Sequence, residues 1–386
     1  MKRPVIVLAF SGGLDTTFCL LWLKETLKAD VVTVTVDTGG FSAHELAGIE
    51  RRALELGALE HRTLDGKDEL FSRFAVKLVQ GNVLRGRVYP LSVAAERVLQ
   101  AELVAKVAKQ LGASGVAHGS TGAGNDQVRF DGVLQTLLPG VPVHTPIRAL
   151  GWTRQQETDW LAQRGVQIAP KTTAYSINAG LWGTTIGGKE THDPWAEVAW
   201  PAVAAAEPKE VVVRFDKGVP LGGVKLVTEL HALGKEYGLG RGIHLGDTIL
   251  GIKGRIAFEA PAPLLLIAAH QELEKLVLTR WQQFWKNHLA DFYGQLLHEG
   301  LYFEPVMRDI EAMIDSSQSR VTGEARLKLE PGRFSVVGVR SPFSLMAAQT
   351  AKYGETTGLW SGDEAAGFSK LHSLPAMLAQ AAEALK

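Results

Sequence analysis

The apolar run Val5–Phe10 ends abruptly in the small and polar stretch Ser11-Gly12-Gly13-Leu14-Asp15-Thr16-Thr17, and apolar residues then recur at helical spacing. The alternation repeats as far as residue 170. Continuous apolar runs at Val5–Phe10, Ala29–Val36, Ser114–Ser120 and Val141–Ile147 predict strands, and Thr16–Leu27, Ala43–Gly57, Glu69–Gln80, Val93–Leu111 and Thr153–Arg164 read as helices. Strands without polar alternation, each followed by a helix, predict an α/β domain whose parallel sheet is covered on both faces. In such sheets ligands bind outside the carboxyl ends of the strands, where Ser11–Thr17 and Gly119–Asn125 both fall.

The pattern changes after Lys171. Lys189–Pro208 is irregular. Strand-like Glu210–Phe215 and Thr248–Glu259 follow, then one long helical segment from Pro263 to His298, a hairpin turning at Pro331-Gly332, and a last helix from Ala376 to Leu385. The expected organisation is a nucleotide-binding domain over 1–170, a second α+β domain over 171–360 and a C-terminal helical tail over 361–386. Leu374, Met377, Leu378, Ala381 and Leu385 share one face of that tail, which therefore needs a packing partner.

Composition removes several function classes. Lys plus Arg and Asp plus Glu both number 41, so net charge offers no case for nucleic-acid binding. No apolar run is long enough to span a membrane, and Val5–Phe10 is too short for a signal-peptide core. The single cysteine, Cys19, rules out an intrachain disulfide, suits a reducing cytoplasm and reads as a core residue. The eleven histidines lack metal-ligand spacing, so no metal site is expected, and His118 reads as a structural histidine at a strand end.

The strand–SGGLDTT–helix junction carries the chemistry. Glycines permit positive φ and close backbone approach, the Ser11, Thr16 and Thr17 hydroxyls can donate to phosphate oxygens, and first-turn amides point at an anion. A Walker A loop would have a lysine, and this one has none. A cradle of amides and hydroxyls suits pyrophosphate as a leaving group, with attack at the α-phosphorus. In the second segment, Asn125 and Arg129 are four apart and share a face if a helix starts near Asn125.

SGGLDTT has the form of the pyrophosphate loop of ATP pyrophosphatases, whose members commonly adenylate a substrate. HGSTGAGNDQVRFD (His118–Asp131), VYPL (Val88–Leu91), YSINAGLWG (Tyr175–Gly183), GKEYGLGR (Gly234–Arg241), LGIKGRIAFEAP (Leu250–Pro261), SPFSL (Ser341–Leu345) and AAGFSKLHSL (Ala365–Leu374) resemble the argininosuccinate synthase family, in family order over nearly the whole chain. The resemblance implies an adenine nucleotide alpha hydrolase-like fold and an AMP-forming ligase of arginine biosynthesis. Such a ligase joins citrulline to aspartate through a citrullyl-adenylate, with Mg²⁺ screening the triphosphate, in a homotetramer held partly by the C-terminal helix.

Carried over position by position, the resemblance implies ATP contacts at Ala9, Phe10, Ser11, Gly12, Gly13, Leu14, Asp15, Thr16, Thr17, Val36 and Gly119. Aspartate falls to Thr121, Asn125 and Asp126, and citrulline to Tyr89, Asn125, Arg129, Ser176 and Thr185. Ser11, Asp15 and Asp126 are the expected catalytic residues. The chain departs from the family pattern at Ala123, where many members have Lys. It departs again around the citrulline α-amino end, with Ala94 for Ser, Gly246 for Glu, Phe258 for Tyr and Gly187 for an acidic residue. Asp247 replaces the missing glutamate if the strand shifts by one residue. Three other readings remain: the same ligation of an N-acetyl- or N-succinyl-citrulline, a tRNA-modifying ATP pyrophosphatase, and a nucleotide-binding module without catalysis. Neutral charge and one cysteine count against the tRNA enzyme.

Overall fold

Buried valines and leucines on both faces of a central strand set the architecture. The first part of the chain forms β1 (Val5–Ala9), α1 (Leu14–Thr26), β2 (Asp30–Asp37), α2 (Ala43–Glu55) and β3 (Glu60–Asp65). A helical stretch follows, in which α3 (Lys67–Leu70) passes through the π-turn Phe71–Ala75 into α4 (Val76–Gly81). Next come α5 (Ala94–Leu111), β4 (Gly115–Ala117), α6 (Asn125–Leu137), β5 (Val143–His144), α7 (Pro146–Leu150) and α8 (Arg154–Ala162). The computed structural model describes residues 3–167, 175–188, 193–347 and 359–385, with the backbone alone at Tyr175 and Ser176. The expected domain boundary at 170/171 lies outside the described residues.

The five strands are parallel, in the order β3-β2-β1-β4-β5. Ile6, Val7 and Leu8 of β1 are buried, so helices cover both faces, as the unbroken apolar run requires. On one face Phe18 of α1 packs against Trp152 and Trp160, with ring centroids 5.2 and 5.1 Å away. On the other lies α5, with Val98, Leu99 and Val104 buried. Cys19 is buried in the α1 layer, where burial pushes its thiol pKa up, in keeping with a packing role. Sequence order reverses between β1 and β4, so a crevice opens at their carboxyl ends. The apolar pattern missed β3, whose EHRTLD sequence suits a half-exposed edge strand.

The remainder forms β6 (Tyr175–Gly180), β7 (Gly183–Gly188), β8 (Lys209–Asp216), β9 (Val219–Pro220), α9 (Gly223–Glu236), β10 (Arg241–Asp247) and β11 (Lys253–Glu259). These lead into α10 (Pro261–Val277), α11 (Arg280–His298), α12 (Pro305–Gln318), β12 (Gly323–Glu330), β13 (Arg333–Arg340) and α13 (Gly362–Glu383). Two antiparallel sheets result, β10-β11-β7-β6 and β13-β12-β8-β9. The hairpin at Pro331-Gly332 joins β12 to β13 as expected, with Gly332 at φ +76°. The long helix expected from Pro263 to His298 is two helices. Leu278 is extended, and Thr279 with Gln282 forms a capping box that restarts the chain as α11. The apolar period runs through the break, whereas the Thr-x-x-Gln signal marks it.

Residues Met1–Ser341 and Pro342–Lys386 form separate compact units. In the second, α13 starts at a Ser361–Glu364 capping box, well before the expected Ala376, and none of its residues is buried. Among the described residues no helix is long and apolar enough to cross a membrane.

One charge pair is wholly enclosed between helices. Lys286 Nζ of α11 lies 2.9 Å from Glu274 of α10 and donates to the Gln80 carbonyl at 3.2 Å. Asn82 Nδ2 donates to the same carboxylate at 2.7 Å. Removing one member of such a pair leaves an uncompensated ion and costs about 3–5 kcal/mol. Lys286→Met is therefore expected to lower the melting temperature by several degrees, and Glu274→Leu/Lys286→Met to recover most of the loss. An unchanged melting temperature in the single variant would contradict this account.

Glu157 on α8 is 1% exposed, and one of its oxygens has no partner. Burial, then the Asp15 charge, raises its pKa from 4.5 to about 7. The folded state thus holds this proton more tightly than the unfolded chain does, and stability falls as pH rises from the unfolded value through about 7. Glu157→Gln is expected to raise the melting temperature at pH 8 and to leave it nearly unchanged at pH 5. An equal shift at both pH values would show that the effect is not ionisation.

Candidate active site

A cleft of about 1200 Å³ opens at the carboxyl ends of β1 and β4. Its floor is the turn after β1. Gly12 takes φ +70°, and Gly13 precedes α1 as an N-cap without side-chain bonds, so the first-turn amides of α1 remain available for an anion. Thr16 Oγ1 lies 3.3 Å from both the amide and the hydroxyl of Ser11, which closes the loop over the helix start. Asp15 has one buried oxygen without a hydrogen-bond partner, and Arg154 Nε stands 3.8 Å away. Burial raises the Asp15 pKa, and Arg154 offsets part of that rise.

The second wall is the segment after β4. A Cβ on Gly119 would stand 3.2 Å from the Asp15 backbone, so a side chain here would press this strand end a few tenths of an ångström away from α1. His118 Nδ1 accepts from the Ser120 amide at 3.2 Å and Nε2 donates to Asp131 at 2.9 Å, which makes it a loop-shaping residue. Helix α6 begins at Asn125 behind Gly124, again without a side-chain cap. Asn125 Oδ1 accepts the Ile249 amide at 2.9 Å, so its NH₂ group is left to donate.

Asp126 lies between two guanidinium groups. It accepts from Arg97 Nε of α5 at 2.9 Å and from Arg129 Nη1 at 2.8 Å. Burial alone would raise its pKa, but the two arginine charges outweigh that and hold it below the ordinary carboxylate value. Arg97 also donates to Asn178 of β6 at 2.7 Å, and Arg129 to the His298 carbonyl at 2.8 Å. Beside this network, Glu96 is 2% exposed with Oε1 unpartnered, and burial raises its pKa to about 8. Its carboxyl occupies the space of a Cβ on Gly180, and its other contacts are Thr38 and the Trp182 amide.

The far wall is one face of the sheet β10-β11-β7-β6. Thr185 stands opposite Phe258, and Phe258 opposite Gly242. Tyr89 packs on Phe258 and stacks on His244, with ring centroids 5.3 and 5.9 Å away. The Tyr89 hydroxyl accepts from the Val93 amide and from Ser92 Oγ, both at 3.4 Å.

Every candidate residue of the sequence reading lines this cleft except two. Thr17 does not: one residue further along α1 than Thr16, it is fully buried, with its hydroxyl unpartnered. The side chain of Ser176 lies outside what is described. Asp247 does not replace the missing glutamate. Its carboxylate is exposed and bound to Lys253 Nζ at 2.7 Å. Sequence reasoning missed Glu96, Arg97, Asn178 and His298. Two adjacent charges inside the apolar helix Val93–Leu111 marked the first two, and nothing local marks Asn178 or His298. No cluster of three His, Cys, Asp or Glu side chains stands ready for a metal among the described residues.

Comparison with known proteins agrees with this geometry. The family model described as arginosuccinate synthase N-terminal HUP domain matches residues 5–167, and that of the C-terminal domain matches residues 175–379. The chain is 38% identical to the argininosuccinate synthase of Dictyoglomus turgidum over 387 residues, with 97% of both chains covered. It is 40% identical to that of Metallosphaera sedula over 391 residues, covering 98% of this chain and 99% of the relative. Against that of Xanthomonas campestris pv. campestris it is 41% identical over 398 residues, covering 98% of each. A HUP-type parallel sheet, both family models and full-length relatives place the chain in one group: it belongs to the argininosuccinate synthase family of ATP-dependent carbon–nitrogen ligases.

Proposed function

We propose that this chain condenses a citrulline-type ureido acid with aspartate, using ATP and passing through an adenylated ureido intermediate. The observation that carries the reading is the meeting of two uncapped helix N-termini, those of α1 and α6, on one cleft. The α1 amides and the Ser11 and Thr16 hydroxyls hold the β- and γ-phosphates as a leaving group, and Val36 and Phe10 border the adenine. The ureido oxygen attacks the α-phosphorus and pyrophosphate departs. The aspartate amine then attacks the ureido carbon, loses a proton, and AMP leaves with the former ureido oxygen. A ureido carbon is a poor electrophile, so converting its oxygen into a phosphate ester is the step that makes the bond possible.

On the other side of the cleft, Thr121 and the Asn125 NH₂ face the aspartate carboxylates. Asp126 has lone pairs left for the aspartate ammonium after accepting from Arg97 and Arg129. Magnesium carried by the nucleotide would supply charge neutralisation for the triphosphate. The exposed apolar side chains Leu374, Met377 and Leu378 of α13 suit packing against further copies of the chain in the homotetramer that the family implies.

Two variants separate the steps. Ser11→Ala is expected to slow the exchange of labelled pyrophosphate into ATP and the overall reaction alike. Asp126→Asn keeps an acceptor for Arg129. It is expected to raise the aspartate KM about ten- to a hundredfold, the effect of one charge-assisted hydrogen bond, and to leave ureido-dependent exchange within about threefold of wild type. An equal fall of exchange in the absence of aspartate would remove Asp126 from the aspartate site.

A further inference from the structure

Helix α11 packs its inner face on α4 and α12 and carries a row of aromatic side chains on its outer face. Trp281, Trp285, His288 and Phe292 follow one another at steps of four, three and four residues, with Phe284 beside them, so all five stand on one side of the helix. The rings hold one another in place. Phe284 lies 6.0 Å from Trp281, 5.4 Å from Trp285 and 5.0 Å from His288, centroid to centroid. Trp281, Phe284, Trp285 and Phe292 are each between 45% and 60% exposed. Apolar residues scattered singly over a surface need no explanation, whereas a contiguous ridge of this kind marks a surface that something covers.

The charges on the helix narrow the choice of occupant. Within α11 only Arg280 and Asp291 are exposed charged side chains, because Lys286 is buried against Glu274. A helix that lies on an anionic lipid surface carries a surplus of exposed lysine and arginine, which this one lacks. An aromatic centre depleted of charge is instead the make-up of a protein–protein interface. Large aromatic side chains bury roughly 150–250 Å² each, so the exposed portions of these four supply on the order of 450 Å². A standard interface takes about 800 Å² from each partner, a little over half of it apolar, so the ridge alone meets most of the apolar requirement.

Arg280 and Asp291 point to a second copy of the same helix. They are eleven residues apart, close to three full turns, so both stand on the same flank of the ridge, one toward each end. A two-fold axis crossing the ridge beside Trp285 lays α11 of one copy antiparallel on α11 of another, ring against ring. The same axis brings Arg280 of each copy to the partner's Asp291. We infer that the outer face of α11 is an isologous interface between two copies of this chain, with Trp285 at the axis and an Arg280–Asp291 pair at each end. None of these residues lines the active-site cleft, so the interface is independent of the ligase reading.

The test is the mass and dissociation constant of the full-length chain by sedimentation velocity, from submicromolar to high micromolar concentration. Wild type is expected to run as a dimer or a larger even-numbered assembly. Trp285→Glu sets two carboxylates against each other at the axis, and is expected to halve the mass or to raise the dissociation constant at least about a hundredfold, with the melting temperature of the subunit unmoved. Arg280→Glu and Asp291→Arg each face like charges across the interface and are expected to raise the dissociation constant about tenfold. The double variant Arg280→Glu/Asp291→Arg is expected to return it to within about threefold of wild type. A monomeric wild type, or a Trp285→Glu chain with wild-type mass and dissociation, overturns the interface. Single reversals without effect, or a double variant no better than either of them, overturn its antiparallel two-fold geometry. Binding of phosphatidylglycerol vesicles by wild type and not by Trp285→Glu, with the mass of both unchanged, would assign the ridge to a membrane surface and overturn the inference as well.

Discussion

The parallel pairing of β1 with β4 is the constraint on which the rest of the site depends. These strands are neighbours in the sheet but far apart in sequence, and the turns that leave them run to opposite sides. Their carboxyl ends therefore bring two helix N-termini to one crevice. Each helix starts behind a glycine with no side-chain cap, so backbone donors that a Ser or Asp would satisfy elsewhere are left for ligands. Gly119 permits the close approach of the two segments, since a single Cβ there would press on the Asp15 backbone.

Electrostatics divides the cleft. The α1 end of the cleft offers amides and hydroxyls, with Arg154 as the nearby cation and an Asp15 whose pKa burial raises. Asp126 joins α6 to α5 through Arg97 and pairs with Arg129 within α6. A rigid, paired charge of this kind orients partners without reorganising during reaction, which is how preorganised sites lower barriers. The antiparallel sheet contributes an uncharged face that includes Ile177, Thr185 and Ile256, and its strands β10 and β11 are tethered to α6 by the Asn125–Ile249 bond.

Much of this was legible in the chain. Val5–Phe10 and SGGLDTT announced the strand, the turn and the helix start, because an unbroken apolar run and a glycine turn leave few alternatives. Asn125 and Arg129 do share a helix face. Thr17 misled because a hydroxyl in a phosphate-loop motif reads the same whether it points at the anion or one helical step away. Edge strand β3 lacked an apolar signature, and the α10–α11 break was hidden by a period that continues across it. Glu96 and His298 owe their roles to neighbours roughly 85 and 170 positions away, contacts that no local pattern encodes.

The central claim is that the ureido oxygen attacks the α-phosphorus of ATP in this cleft. Oxygen-18 placed in the ureido group of the preferred substrate tests it directly, with mass spectrometry of the AMP and pyrophosphate formed with aspartate. The account predicts one labelled oxygen in each AMP and none in pyrophosphate. Unlabelled AMP, or label in pyrophosphate, would contradict it.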